Sequence, residues 1–329
     1  MIYVETGSTD AYFNFGLEQY LMERVDAGVI PGPVLLFWQT KPTLMVGRFQ
    51  NIHKEVNERY AKSKGIQIVR RASGGGTIYT DMGGWQFSHI TRNVNFDEID
   101  FAEYTKNVTA ALCAMGVNAY ANGRNDILVD GKKISGNAQY VMRKGKVHHG
   151  SLLFQTDINE MVAALTPSKD KITSKGIDSV RQRVGNIADY LKTDMTPGQF
   201  KEEMLGRLLQ NVQVYKLTEQ DREAAQKIAE EKFGSWEWNY GSQLVFEVVR
   251  ERKFAGGKME CCLNIKDGKI DRCIFYGDFF CQGDIDVLID RLVGTDYHES
   301  AIRSALREAR ADQMFHMISE DEIMECIIL

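Results

Sequence analysis

Between Asp126 and Gln155 the chain reads DILVDGKKISGNAQYVMRKGKVHHGSLLFQ, a series of strand-like pieces punctuated by Asp130-Gly131 and Lys144-Gly145. Dipeptides ending in glycine favour tight hairpins, because the turn that matches strand twist needs positive φ at its central residues. Consecutive strands joined in this way predict an antiparallel meander.

The preceding sequence alternates between helix and strand. Thr9-Asp10 supplies caps for a helix whose Phe13, Leu17, Tyr20, Leu21 and Val25 recur at helical spacing, a stripe that faces a core. VLLFWQT and TLMVGRFQN, separated by Lys41-Pro42, predict a hairpin. A short helix around Val56 to Lys64 stops at Gly65, and IQIVRRAS and WQFSHI read as strands on either side of a glycine run. A further helix from Phe101 to Met115 ends at Gly116. It carries Cys113, which is expected to be a small core residue.

A chain of 329 residues exceeds what one hydrophobic core organises, so two domains are expected. Helical patterns in TPGQFKEEMLGRLLQ and TEQDREAAQKIAEEKF lead to Gly234 and the aromatic cluster SWEWNYGSQ. The boundary is placed there, giving domains of residues 1–242 and 243–329. The second domain holds two strands joined by Asp267-Gly268 and amphipathic helices around Ile285 to Leu292 and Ile302 to Ala309, a small α+β unit.

A net charge of −5 argues against a chain whose task is to neutralise a nucleic-acid backbone. No window reaches the apolar length of a bilayer span, and MIYVETGSTD has neither a basic nor an apolar leader segment, so a cytoplasmic protein without membrane partners is expected. The six cysteines have no CxxC spacing and are expected to be reduced thiols.

Three stretches carry chemistry. In IVRRASGGGTIYTD, Arg70 and Arg71 precede Gly74, Gly75 and Gly76, a run whose ordering costs so much backbone entropy that a bound anion would be a natural compensation. It is neither a phosphate-loop lysine motif nor a dinucleotide fingerprint, since no Gly-Lys-Ser/Thr and no helix follows. In GRNDILVDGKKISGNAQ, Asn125 and Asp126 offer oxygen ligands suited to magnesium, and Lys133 lies on the other arm of the hairpin, so both ends can face one cavity. In HHGSLLF, adjacent His148 and His149 point to opposite faces of a strand, so at most one enters a site. Each stretch also has a plain reading: a flexible turn, a capping Asp126 with a solvated Lys133, and a hydrogen-bonded core histidine.

In this order and spacing RRASGGGTIYTDMGG, GRNDILVDGKKISGNAQ, HHGSLLF and KGIDSVRQRVGNI closely resemble the lipoate–protein ligase A family, and GDFF at 277–280 looks like that family's C-terminal accessory domain. The resemblance spans essentially the whole chain. It implies an α+β fold similar to the class II synthetases and biotin ligases, a mixed, largely antiparallel sheet flanked by helices. It also implies an ATP-dependent ligase that converts lipoate to lipoyl-AMP and then acylates a lysine of a lipoyl-domain carrier protein, such as the glycine cleavage H protein or an E2 subunit of a 2-oxoacid dehydrogenase.

On these residues the resemblance sets Lys133 against the α-phosphate and acyl carbonyl, and Asn125 and Asp126 near nucleotide and Mg2+. Arg70, Arg71, Ser73 and Gly74 to Gly76 would hold the adenylate, with backbone groups of Thr77 and Ile78 offered to adenine. Ser135, Gly136 and Asn137 would continue that wall, with His149 and Gly150 beside the acyl end. Leu17, Trp38 and Val46 are expected to line the apolar slot for the lipoyl tail. SKDKITSKGIDSVRQRVGNI, residues 168–187, is the expected lid over an anion, and its part from Lys169 to Arg183 the expected carrier-docking surface. The competing expectations are an octanoyltransferase with a cysteine acyl carrier, a lipoyl amidotransferase, and a non-catalytic lipoate or nucleotide sensor.

Overall fold

The structure is a computed structural model and describes residues 1–92, 99–142, 145–165, 182–209, 213–241 and 246–328. Residues 168–181 of the expected lid (168–187), and with them all of the expected docking surface but Gln182 and Arg183, therefore lie outside the described residues. In chain order the strands are β1 (Ile2–Val4), β2 (Val34–Trp38), β3 (Thr43–Val46), β4 (Gln67–Arg70), β5 (Ile78–Thr80), β6 (Gly84–Arg92) and β7 (Tyr120–Ala121). They continue with β8 (Asp126–Val129), β9 (Lys132–Met142), β10 (Gly145–Leu153), β11 (Gln213–Tyr215), β12 (Val248–Phe254), β13 (Gly257–Lys266) and β14 (Lys269–Gly277).

Eight of them form a sheet in the order β11-β1-β2-β6-β10-β9-β8-β7, parallel at β11-β1-β2 and antiparallel elsewhere. The meander read from Asp126 onward is its β8-β9-β10 portion. Asp130 and Gly131 both adopt positive φ, the backbone that the hairpin turn requires.

The expected hairpin of VLLFWQT and TLMVGRFQN does not form. β2 inserts between β1 and β6, whereas β3 leaves for a second sheet of order β4-β3-β5. Every residue of β3 is buried, and β4 meets it in parallel while β5 meets it antiparallel, so both of its edges are satisfied away from β2. Two consecutive apolar runs with a Pro turn between them thus mark two sheets.

Helices cover both faces of the large sheet. α1 (Ala11–Asp26) is capped by Asp10, whose carboxylate accepts the Phe13 N–H at 3.1 Å. Its Phe15, Leu17, Leu21 and Val25 pack on Val34, Leu36, Ile90 and Val147, alternate residues of β2, β6 and β10 that share one face. The opposite residues, Phe37, Phe87 and Leu152, pack against Val108 and Leu112 of a later helix, Phe101–Ala114. The core face of that helix is set by Phe101, Thr105, Val108, Ala111 and Leu112. Cys113, one step of about 100° beyond Leu112, is turned outward and is exposed, contrary to expectation; its thiol donates to the Ala119 carbonyl at 3.3 Å.

The C-terminal residues build a core of their own from Met259, Leu263, Ile302, Leu306 and Ile323. Their sheet has three strands, β12-β13-β14, and a third helix, Glu320–Ile328, joins the two expected ones. β12, an edge strand, alternates half-buried residues, Arg250 and Arg252 among them, with exposed Val249, Glu251 and Lys253. No helix among the described residues is long and apolar enough to cross a membrane.

Candidate functional site

A cavity of about 100 Å³ opens where the large sheet, α1, the glycine loop and the β8–β9 hairpin converge. Strand register builds its floor. Trp38 pairs with Gln86, and Gln86 with Ser151; one step along, Leu36, Ser88, His149 and Ala138 form the next row on the same face. His149 therefore enters the cavity, while His148 lies on the other face, as adjacency on a strand requires.

One end of the cavity is apolar, with Phe15, Trp38, Met45 and Ile78, and the rings of Phe15 and Trp38 meet edge to face at 5.4 Å. The polar groups behind this end form a closed network. Trp38 Nε1–H donates to Ser88 Oγ at 3.1 Å, and Ser88 donates to Glu18 Oε2 at 2.6 Å. His149 Nδ1 lies 3.1 Å from the same carboxylate oxygen, and Tyr140 donates to the other at 3.3 Å. Because a carboxylate only accepts, Nδ1 carries a proton, and Nε2 lies 2.7 Å from the Ser73 hydroxyl oxygen. Burial and Glu18 push the Tyr140 phenol well above its usual range, so it remains a donor. Glu18→Ala would leave His149, Ser88 and Tyr140 without their shared acceptor in a dry site. Stability is expected to fall by about 1–3 kcal/mol, seen as a lower thermal midpoint; an unchanged midpoint would remove Glu18 as the hub.

The chain Ser73–His149–Glu18 has the connectivity of a nucleophilic triad, but Ser73 is fully buried and does not border the cavity. Its hydroxyl ties the glycine loop to the floor instead.

The polar end holds Asn125, Lys133, Gly136 and Asn137. Lys133 Nζ lies 2.7 Å from Asp126 Oδ1, with the two side chains 34% and 24% exposed. This meeting depends on a register shift between Ile127 and Leu128, after which Leu128 pairs with Lys133 and not with Ile134. Regular pairing from Asp126–Gly136 would put Ile134 on the face of Asp126; the irregularity substitutes Lys133. The backbone of Lys133 is held on its other side by a bridge to Val184, and its carbonyl accepts from Gly185 N–H at 3.1 Å.

Asn125 and Asn137 interlock. Asn125 Nδ2 donates to the Asn137 carbonyl at 2.9 Å, and Asn137 Nδ2 returns a bond to the Asn125 carbonyl at 3.0 Å. Asn137 Oδ1 faces His148 Nε2 at 3.2 Å, while His148 Nδ1 faces Gln139 Nε2 at 2.9 Å. Burial, followed by the charges of His149, His89 and Lys146, holds the His148 pKa well below the usual imidazole value. The ring is therefore neutral and gives its single N–H to Asn137, with Tyr104 stacked on it at 4.7 Å.

The two arginines do not point at the cavity with free donors. Arg70 turns away, donating to the carbonyls of Gly47, Gln50 and Asn239 at 2.9, 2.7 and 2.7 Å. Arg71 borders the cavity, yet its guanidinium donates to the carbonyls of Met45, Gly74 and Gly76. A buried guanidinium must satisfy its fork, and the loop carbonyls do so. Burial first, then a neighbouring arginine, pushes both pKa values down to about 10, which leaves both charged at neutral pH.

Of the other expected residues, Gly75, Gly76, Thr77, Ile78 and Gly150 border the cavity. Leu17 and Val46 are in the core, Ser135 is buried beneath Asn137, and Gly74 abuts the C-terminal unit, with its Cβ position 2.2 Å from the Phe279 carbonyl oxygen. Gly75 N–H donates to that carbonyl at 3.4 Å, and the Phe280 ring packs on Gly75 and Phe101. The sequence reading missed Phe15, Met45, Gln86, Ala138 and Ser151. Alternation carried from His149 to Ser151, and from Ser88 back to Gln86, was the available signal for two of them.

A family model described as the lipoyl protein ligase A/B catalytic domain matches residues 10–209, and one described as the bacterial lipoate protein ligase C-terminus matches residues 243–327. The lipoate-protein ligase LplJ of Bacillus subtilis is 37% identical over 99% of this chain and 100% of its own length. The fold is similar to that of P. falciparum LipL1 crystallised with lipoate, with a TM-score of 0.76, 21% identity and 99% coverage of both chains. A lipoate protein ligase of Thermoplasma acidophilum, solved in a study that includes its E2 lipoyl domain, superposes with a TM-score of 0.64 at 25% identity, covering 75% of this chain and 98% of that one.

Proposed function

The chain belongs to the lipoyl protein ligase A/B family, and on that premise we propose that it is an ATP-dependent lipoate–protein ligase, forming lipoyl-AMP and then acylating a lysine of a lipoyl-domain carrier. The observation that carries the reading is one cavity with an apolar end, Phe15, Trp38, Met45 and Ile78, and a cationic end at Lys133. A lipoyl tail is apolar and its adenylate joins that tail to a phosphate, so the apolar and cationic ends of the cavity match the lipoyl and phosphate portions of that intermediate.

In the first half-reaction the lipoate carboxylate oxygen bonds to the α-phosphorus and pyrophosphate leaves. In the second, the carrier amine bonds to the acyl carbon, AMP leaves and the amine gives up a proton. Negative charge grows at the same point in both, and the Lys133 ammonium is held beside it by Asp126 and by the backbone pairing on either side. Asn137, fixed by His148, and Asn125, fixed by Asn137, keep the polar end rigid around Lys133, so little rearrangement is needed as charge develops.

Mg2+ needs few protein ligands when it arrives with phosphates, commonly one or two carboxylates. Asp126, with Asn125 beside it, fits that requirement, and no group of three metal-ligating side chains occurs among the described residues. Mg2+ would supply charge neutralisation of the triphosphate there. The carriers proposed are the glycine cleavage H protein or E2 subunits, with the basic stretch from Lys169 to Arg183 as their docking surface. A cysteine acyl carrier has no support, since no cysteine borders the cavity among the described residues.

The direct test is pyrophosphate release from lipoate plus ATP, followed by a lipoyl mass shift on purified carrier domains. Transfer from free lipoate that proceeds without nucleoside triphosphate would refute the ligase reading. Trp38→Ala should widen the apolar end, raising KM for lipoate about tenfold or more while improving relative use of bulkier acyl acids, with some loss of stability from the truncated core ring. Unchanged KM values for lipoate and for bulkier acids would detach Trp38 from the acyl site.

A further inference from the structure

Gln139 and His148 are buried, 1% and 0% exposed, and neither borders the cavity. They face each other across β9 and β10, and the hydrogen bonds around them admit one arrangement only. Asp100 N–H donates to Gln139 Oε1 at 3.0 Å, and Gln139 Nε2 donates to the Asp100 carbonyl at 2.5 Å. A peptide nitrogen only donates and a peptide oxygen only accepts, so the Gln139 amide can meet Asp100 in one orientation. The second hydrogen of Nε2 goes to His148 Nδ1 at 2.9 Å. Nδ1 must therefore accept, and the single ring proton sits on Nε2, which donates to Asn137 Oδ1 at 3.2 Å.

The far end of this relay is fixed by backbone too. The Asn125 carbonyl accepts from Asn137 Nδ2 at 3.0 Å and from Asn137 N–H at 2.7 Å, so Oδ1 is the side of the amide that meets the ring. Gly150 keeps that path open, since a Cβ there would stand 2.4 Å from Asn137 Oδ1. Asn125, which borders the cavity, commits its Nδ2 to the Asn137 carbonyl at 2.9 Å, and its Oδ1 has no partner among the described residues. What Asn125 has left to offer a ligand is thus an acceptor.

A proton moved from Nε2 to Nδ1 would undo this order. Nδ1–H would face the Gln139 N–H and Nε2 would face Asn137 Oδ1, donor against donor and acceptor against acceptor in a dry site. The Gln139 N–H is what excludes that tautomer. We propose that Gln139 is a positioning residue for adenylation: clamped on the Asp100 peptide, it imposes the Nε2–H form of His148 and, through Asn137, holds the Asn125 oxygen at the polar end of the cavity. The reaction it serves rests on the ligase reading above, whereas the tautomer lock does not.

Two measurements test it. Side-chain nitrogen NMR of the unmodified protein, labelled at histidine and held at neutral pH, should show His148 neutral and protonated on Nε2, its signals identified by their loss in His148→Phe. A ring protonated on Nδ1, or on both nitrogens, would overturn the lock. The second measurement is lipoate-dependent pyrophosphate release by Gln139→Met, which keeps the side-chain volume and loses the amide. Its kcat should fall about tenfold, the worth of one hydrogen bond, with KM for lipoate changed less than about twofold. Asn137→Ala should lower kcat by a similar factor, and adding Gln139→Met to it should lower it by less than about twofold more, because the relay is already cut.

Effects that multiply in the double variant would reduce Gln139 to a structural anchor and overturn the proposal, as would an unchanged kcat in Gln139→Met. Should Gln139→Met not fold, His148→Phe, which keeps an aromatic ring against Tyr104, takes its place in the same cycle. Absence of pyrophosphate release by the unmodified protein would refute the ligase reading, a result separable from the tautomer, which is read without substrate.

Discussion

Lys133→Ala is expected to lower both lipoyl-adenylate formation and acyl transfer by on the order of 10²–10³, with the thermal midpoint nearly unchanged. The size follows from where the ammonium sits. It borders the cavity and is only one-third exposed, so water screens it less than a surface lysine. In the proposed mechanism both half-reactions build negative charge within its reach, and an interaction stronger in the transition state than in the ground state accelerates both. The fold should survive, because Asp126 is itself partly exposed and water can replace the lysine around it. Lys133→Arg should recover only part of the rate, since a planar fork does not reproduce a compact ammonium at that point. Single-turnover adenylation and transfer assays on folded variants are the check. Near-normal rates in both with Lys133→Ala would make Lys133 a surface lysine and move the site elsewhere.

The route by which Lys133 reaches that place also shows what sequence can convey. Alternation and turn dipeptides place β8, β9 and β10 and allow only one of the two adjacent histidines into the cavity, because these are local properties of the chain, whereas the choice of His149 comes from the family resemblance. The shift that turns Lys133 and not Ile134 toward Asp126 depends on how two strands pair, and no residue in LVDGKKI announces it. Likewise β2 and β3 look like a hairpin, since the partner that draws β3 away, β4, begins more than twenty residues later. Arg70 and Arg71 illustrate a different limit. Their charge is visible in the sequence, but their donors go to loop carbonyls once those carbonyls are buried, a requirement that exists only in the folded chain. Leu17 and Val46 were expected at the cavity as apolar residues of the first helix and first hairpin beside the glycine loop, a placement that does not distinguish a pocket wall from the core behind it.

The three consecutive glycines meet three different constraints, and this leads to the second large effect. Gly75 adopts φ of +87°, a backbone that other residues adopt at a cost, and Gly76 has open space where a Cβ would be. At Gly74 a Cβ would stand 2.2 Å from the Phe279 carbonyl oxygen and 3.2 Å from the Phe280 Cα. Those atoms are backbone and cannot rotate aside. The loop cannot retreat easily either, being held by Arg71 at the Gly74 and Gly76 carbonyls and by Ser73 on His149. Gly74→Ala must therefore push the C-terminal unit off the loop or distort the loop over the cavity. Stability is expected to fall by about 1–3 kcal/mol, as for overpacking, and adenylation by tenfold or more because Gly75, Gly76 and Arg71 border the cavity. Gly76→Ala is the control for stability, expected to change it by less than about 0.5 kcal/mol. Denaturant titrations of the two variants, with adenylation rates at saturating lipoate and ATP, separate packing from chemistry. A Gly74→Ala protein as stable and as fast as the unmodified one would mean that Phe279 and Phe280 do not rest on the glycine loop when the enzyme works.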